Sequence, residues 1–135
     1  MTRISVRDLA DFKQSKKRFT MLTSYDSLTA SLFDEAGIPV LLVGDSAANL
    51  VFGYDSTLPV TVEDMPPIVS AVARSTKNAM VVADMPFGSY QTSTSSALES
   101  ATKFLKAGAQ VLKFKVGQEL LKPAKVLLKA GIQLM

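Results

Sequence analysis

The chain has 135 residues, 47% of them hydrophobic and 20% charged, with a formal net charge of +3. That balance is ordinary for a soluble globular protein and leaves enough length for one domain with a real core. Neither cysteine nor histidine occurs, which excludes disulfides, thiolate and imidazole metal sites and histidine-based triads.

Chemistry in this chain therefore falls to Asp, Glu, Lys, Ser, Thr, Tyr or a bound metal. No apolar run approaches the roughly 20 residues that span a bilayer, and the N-terminus has no apolar signal core. The expectation is a cytoplasmic protein with no membrane partner. Residues 1–102 carry 8 basic and 11 acidic groups, whereas residues 103–135 carry 7 lysines against Glu119 alone. Lys122, Lys125 and Lys129 recur at helical spacing; without interleaved aromatics they read as a solvated helix face rather than a nucleic-acid patch.

Taken in chain order, Ser5-Val6-Arg7-Asp8 has the form of a capping box, opening a helix to about Gln14. A first strand follows from Phe19 to Ser24, with Tyr25 and Asp26 at its C-terminal end, then a helix from about Ser27 to Ala36. A second strand runs to Val43, followed by a long irregular stretch from Gly44 to Val60. Loops of that length inside compact domains are usually functional. A helix in the region Thr61 to Thr76 must start near Pro66-Pro67 or kink there, because two prolines remove two backbone donors.

The third strand is predicted over Ala79 to Ala83, a helix over Ser95 to Ala107, the fourth strand over Gln110 to Phe114, and a helix over Gln118 to Ala130 with Pro123 inside it. Ile132 to Met135 reads as the opening of a fifth strand. Three segments share one template: Ala36-Gly37-Ile38, Ala107-Gly108-Ala109 and Ala130-Gly131-Ile132. Each is a helix closed by glycine and followed by a buried strand. The pattern predicts an α/β fold with a parallel sheet and helical crossovers, either a small open sheet or the first half of a barrel.

Three apolar runs end in charge: Val40 to Val43 before Gly44-Asp45, Met80 to Ala83 before Asp84, and Val111-Leu112 before Lys113. This places two carboxylates and an ammonium at the C-terminal ends of parallel strands, where α/β folds build their sites. From the residues alone, Asp45, Asp84 and Ser46 read more readily as turn or cap residues. Lys113 is different, since a lysine within an apolar strand is rarely left unpaired.

Gly44-Asp45-Ser46, the run Asp55-Ser56-Thr57-Leu58-Pro59-Val60-Thr61-Val62-Glu63-Asp64-Met65, and Ala83-Asp84-Met85-Pro86-Phe87 together resemble the ketopantoate (3-methyl-2-oxobutanoate) hydroxymethyltransferase family. Leu22-Thr23-Ser24-Tyr25-Asp26 and Ala107-Gly108-Ala109 to Lys113 fit the same family, so the resemblance covers nearly the whole chain. It implies that residues 1–135 form one partial domain, the N-terminal half of a (β/α)8 TIM barrel with about four strands and the start of a fifth, truncated relative to members of roughly twice this length. It further implies hydroxymethyl transfer from 5,10-methylenetetrahydrofolate to 3-methyl-2-oxobutanoate, in pantothenate biosynthesis, by an enzyme that forms a homo-oligomer, commonly a decamer.

In that resemblance Asp45 and Asp84 bind Mg²⁺, Asp45, Ser46, Asp84 and Lys113 contact the 2-oxo acid, and the catalytic base lies beyond Met135. Carboxylates plus substrate oxygens suit Mg²⁺, and chelating a 2-oxo acid eases loss of its adjacent proton. Where the family motif has Lys, an aliphatic residue, Glu, Gly, Gly, this chain has Lys113-Phe114-Lys115-Val116-Gly117. Lys115 thus replaces a glutamate close to the metal. An ammonium about 6 Å from a unit positive charge costs roughly 3 kcal/mol in an effective dielectric of about 20, and more against Mg²⁺. Two alternatives stand beside the enzyme reading. One is a non-catalytic half-barrel that acts as an association module through exposed strand edges; the other is a flavodoxin-like phosphoacceptor domain, disfavoured because Tyr25-Asp26 offers one carboxylate after the first strand instead of a pair.

Overall fold

The computed structural model describes residues 2–115 and 117–135. Four short strands, β1 (Met21–Thr23), β2 (Val40–Val43), β3 (Met80–Asp84) and β4 (Val111–Lys113), form one parallel sheet in the order β1-β2-β3-β4. Leu134 adds a single parallel bridge to Leu112 of β4, at the position of the predicted fifth strand. The order follows the sequence without the reversal that defines a doubly wound sheet, which removes the flavodoxin-like alternative.

Helices α1 (Val6–Gln14), α2 (Ser27–Glu35), α3 (Ala47–Leu50), α4 (Met65–Arg74), α5 (Thr94–Lys106) and α6 (Leu121–Lys129) complete the chain. The capping box at Ser5 forms as the sequence predicts: the Ser5 N–H donates to the Asp8 carboxylate at 2.7 Å, and the Asp8 N–H donates to Ser5 Oγ at 3.4 Å. The glycine template also holds, with Gly37 at φ 80°, Gly108 at φ 110° and Gly131 at φ 82°. Gly108 has a second requirement, since a Cβ there would stand 2.6 Å from the Ala73 Cβ.

The prolines sit where they do no harm. Pro66 and Pro67 follow Met65 in the first turn of α4, and Pro123 lies in the first turn of α6, behind a 3₁₀ turn over Gln118–Leu120. First-turn N–H groups have no intrahelical partner, so a missing donor costs little there. The single helix predicted over Gln118 to Ala130 is therefore corrected to a 3₁₀ turn and a shorter helix. The stretch from Gly44 to Val60 is likewise not wholly irregular, since α3 forms within it.

Strand alternation divides the core in two. Leu41, Val43, Val81, Ala83, Leu112 and Phe114 face the helix layer, meeting Ala30 of α2, Val69 and Val72 of α4, Ala101 and Phe104 of α5, and Leu127 of α6. Val40, Met80, Val82 and Val111 face the other way and pack with Met21, Leu42 and, from the N-terminal segment, Ile4 and Leu9. All five residues of β3 are buried, which fits a central parallel strand. Lys122, Lys125 and Lys129 lie exposed on α6, the solvated face that their spacing predicts.

One buried carboxylate ties this framework together. Asp34, near the end of α2, accepts hydrogen bonds from the N–H groups of Lys77 (2.9 Å), Asn78 (3.0 Å) and Ala79 (2.6 Å), fixing the turn that launches β3. Burial alone raises the Asp34 pKa, but the donors from Lys77, Ala79 and Asn78 together outweigh it and hold the carboxyl below its ordinary 3.8. The native state thus binds this proton less tightly than the unfolded chain. Its contribution to stability is present above pH 3.8 and is lost as pH falls through the lower native value. We expect Asp34→Ala to cost about 3 kcal/mol in urea unfolding at neutral pH, because three backbone N–H groups, that of buried Ala79 among them, lose their acceptor. The gap between parent and variant should narrow in acid.

Candidate active site

The C-terminal ends of the strands carry the predicted residues to one place. β3 and β4 pair with Asp84 directly opposite Lys113, and two-residue alternation from Val82 and Val111 puts both side chains on the sheet face opposite α2, α4, α5 and α6. Their charges meet there: Lys113 Nζ lies 2.6 Å from Asp84 Oδ1. Asp84 is 4% exposed, and its second oxygen accepts the Asp45 N–H at 3.2 Å. The lysine in an apolar strand is thus paired, as the sequence argument requires.

Gly44 allows this approach. A Cβ on it would stand 3.0 Å from Ser46 Oγ, 3.5 Å from Asp84 Oδ2 and 3.7 Å from the Tyr25 hydroxyl. Ser46 occupies the cap position of α3 yet makes no capping hydrogen bond; its Oγ lies instead 2.6 Å from the Tyr25 hydroxyl. Tyr25, outside the predicted site, therefore belongs to it. Its signal was its place at the end of β1, the same rule that found Asp45 and Asp84. Asp26 beside it is a helix cap, accepting the Thr29 N–H at 2.8 Å.

The second lysine closes the arrangement. Lys115 Nζ lies 3.1 Å from Asp45 Oδ2, with the Asp45 side chain 14% exposed and the Lys115 side chain 70% exposed. The hydrogen bond and charge of Asp45 hold the Lys115 ammonium above its ordinary pKa range. Tyr90, which no sequence pattern singles out, pins the Lys115 backbone: its hydroxyl donates to the Lys115 carbonyl and accepts the Lys115 N–H, each at 3.2 Å. The Tyr90 ring is buried edge-on against Phe114, with centroids 4.8 Å apart.

A cavity of about 440 Å³ opens beside these groups, lined by Asp45, Met85, Phe87, Tyr90, Lys115 and Leu120 among others. That is enough for a small organic acid. The fit to a divalent cation is another matter. Mg²⁺ favours one or two carboxylates whose charge is free to meet it, and here each carboxylate already carries an ammonium. Among the described residues no group of three Asp, Glu, His or Cys side chains converges. As arranged, the residues do not fit the ion.

The architecture is that of a (β/α)8-barrel half. Phosphonopyruvate hydrolase, solved with oxalate and Mg²⁺, superposes with a TM-score of 0.69 at 16% identity, covering 92% of this chain and 46% of that one. 2,3-Dimethylmalate lyase, a member of the PEP mutase/isocitrate lyase superfamily, gives 0.68 at 16%, covering 93% and 49%. Within that fold class, the family model for ketopantoate hydroxymethyltransferase matches residues 3–135, and the chain belongs to that family. The 3-methyl-2-oxobutanoate hydroxymethyltransferase of Thermobifida fusca is 57% identical over 134 residues, covering 98% of this chain and 48% of that protein. The Mycobacterium tuberculosis protein of the same name is 47% identical over 135 residues, again with 48% of its length covered. The chain spans about half the length of the curated relatives it matches.

Lys113→Met leaves the buried Asp84 carboxylate without its ammonium and should cost about 2 kcal/mol in chemical denaturation. The double variant with Asp84→Asn should recover a substantial part of that loss, giving a non-additive double-mutant cycle.

Proposed function

We propose that this chain supplies the 2-oxo-acid half of a hydroxymethyl transfer, in which 3-methyl-2-oxobutanoate takes a hydroxymethyl group from 5,10-methylenetetrahydrofolate to give ketopantoate in pantothenate biosynthesis. The observation that carries this reading is the gathering of Ser46, Tyr25 and Asp84 around Gly44, with the Lys113 ammonium paired to Asp84. An ammonium has three donors, and Asp84 engages one. Lys113 can therefore hold a ligand carboxylate as a point charge while keeping its strand partner. Ser46 and Tyr25 offer O–H groups to an uncharged oxygen of the same ligand, and Asp84 fixes the lysine that orients it.

Mg²⁺, which the family resemblance implies, would fall to Asp45 and Asp84. With Lys115 on Asp45 those donors do not fit it, and the reading rests on the chain's own residues. A thermal melt tests it, because a ligand that binds only the native state raises the transition, by about 2.7 kcal/mol at a hundredfold excess over Kd. 3-Methyl-2-oxobutanoate should raise the Tm of the parent chain. The shift should shrink in Ser46→Ala and vanish in the double variant Lys113→Met, Asp84→Asn, which removes both charges together. No shift in the parent, or the same shift in the double variant, would overturn the proposal.

A second reading, a half-barrel association module, is favoured by one feature. Leu50, Phe52, Tyr54 and Leu58, all in the segment between β2 and α4, are exposed, and β1 stands at the edge of the sheet. Apolar patches and open edges both invite a partner. On this reading sedimentation velocity over a concentration series shows self-association that Leu50→Ser with Leu58→Ser weakens. A single monomeric species throughout would remove it.

A further inference from the structure

We propose that Lys115 is the resident cation of this site: its ammonium supplies at Asp45 the positive charge that a divalent ion would otherwise supply, and it excludes such an ion. The inference starts from charge. Asp45 and Asp84 contribute two negative charges, Lys113 and Lys115 two positive ones, and the pairs are made at 2.6 and 3.1 Å. Three of the four carboxylate oxygens are engaged: Asp84 Oδ1 by Lys113, Asp84 Oδ2 by the Asp45 N–H and Asp45 Oδ2 by Lys115. A small hard cation needs carboxylate charge that is free to meet it, and it gives up its own water reluctantly. Here it would have to displace an ammonium and then remain beside it.

An exposed lysine could in principle swing clear, but its backbone is held. Tyr90 is 3% exposed and its hydroxyl grips both the N–H and the carbonyl of Lys115. Whichever rotamer the side chain takes, it starts from a fixed Cα at the mouth of the site. The ammonium therefore stays part of the local field, paired with Asp45 at 3.1 Å. The cavity beside it is lined by Asp45, Lys115 and Glu119 together, so a ligand entering there meets the ion pair with one further carboxylate beside it.

The test uses Mn²⁺ alone, followed by the electron paramagnetic resonance signal of the free ion, so its result does not depend on whether a 2-oxo acid binds. The parent chain should leave the Mn²⁺ signal unchanged over a range in which Lys115→Glu depletes it, the variant binding about tenfold tighter or more because one opposing charge becomes an attracting one. Lys115→Met should fall between the two. Adding Asp45→Asn to Lys115→Glu should abolish the gain, which places it at this site. Circular dichroism and a melt establish that each variant is folded, as expected for an exposed side chain. Parent binding as tight as that of Lys115→Glu, no gain in a folded Lys115→Glu, or a gain that survives Asp45→Asn would each overturn the proposal.

Discussion

The register between β3 and β4 is the constraint on which the site depends. Parallel pairing sets Val82 against Val111, Ala83 against Leu112 and Asp84 against Lys113. A slip of one residue would turn Lys113 toward the helix layer, among Phe104 and Leu127, and bring Leu112 to the site face. An unpaired ammonium in that layer is far more costly than any gain from the slip. The ion pair is therefore a consequence of the register and also a guard on it. Apolar packing alone specifies the sheet less sharply, because Val, Leu and Ala alternate on both faces.

The same logic runs outward to the neighbouring strands. Asp84 holds the Asp45 N–H, which fixes the turn leaving β2, and Gly44 supplies the space in which that turn closes on Ser46 and Tyr25. Tyr25 comes from the end of β1. One cross-strand pair thus orders side chains from four strand ends. At the opposite end Asp34 performs the corresponding service, tying α2 to the start of β3 through three backbone donors. Both carboxylates are buried and both are satisfied, which is the condition for burying charge at all.

Much of this was legible in the sequence because it rests on local or periodic signals. Apolar runs bounded by glycine marked the strands, and the glycines at positions 37, 108 and 131 marked the helix ends through their left-handed backbone. Asp45, Asp84 and Lys113 stood out by one rule, that charge at the C-terminal end of a buried strand is chemistry or structure, whereas Ser46 entered through the family resemblance. What escaped was what depends on contacts distant in sequence. The role of Tyr25 requires a hydroxyl 21 residues away, and that of Tyr90 a backbone segment 25 residues away. Helix α3 escaped for a different reason: four residues are too few to show a period. Pro66-Pro67 marked the start of α4 as the sequence required, whereas Pro123 was read inside a helix that in fact begins at Leu121, because a proline's effect depends on the turn it occupies.

The two ion pairs of the site differ in kind, and the difference sets which of them can respond to a ligand. Asp84 with Lys113 is the inner pair. Its geometry follows from strand register, its carboxylate is almost fully buried, and parting it would strand a charge in a poorly solvated place. Asp45 with Lys115 is the outer pair, exposed on the lysine side, and pairs of that kind contribute at most about 1 kcal/mol. The outer contact can therefore be exchanged for one to an anionic ligand at little cost. The inner one must persist while that happens. What Tyr90 preserves is the position of the Lys115 backbone rather than the contact itself, so the cationic character of the mouth survives the exchange. A site built in this way presents a fixed ammonium, Lys113, beneath an adjustable one, Lys115. Two carboxylates keep the resting charge near zero, and the adjustable lysine sets which ions can approach.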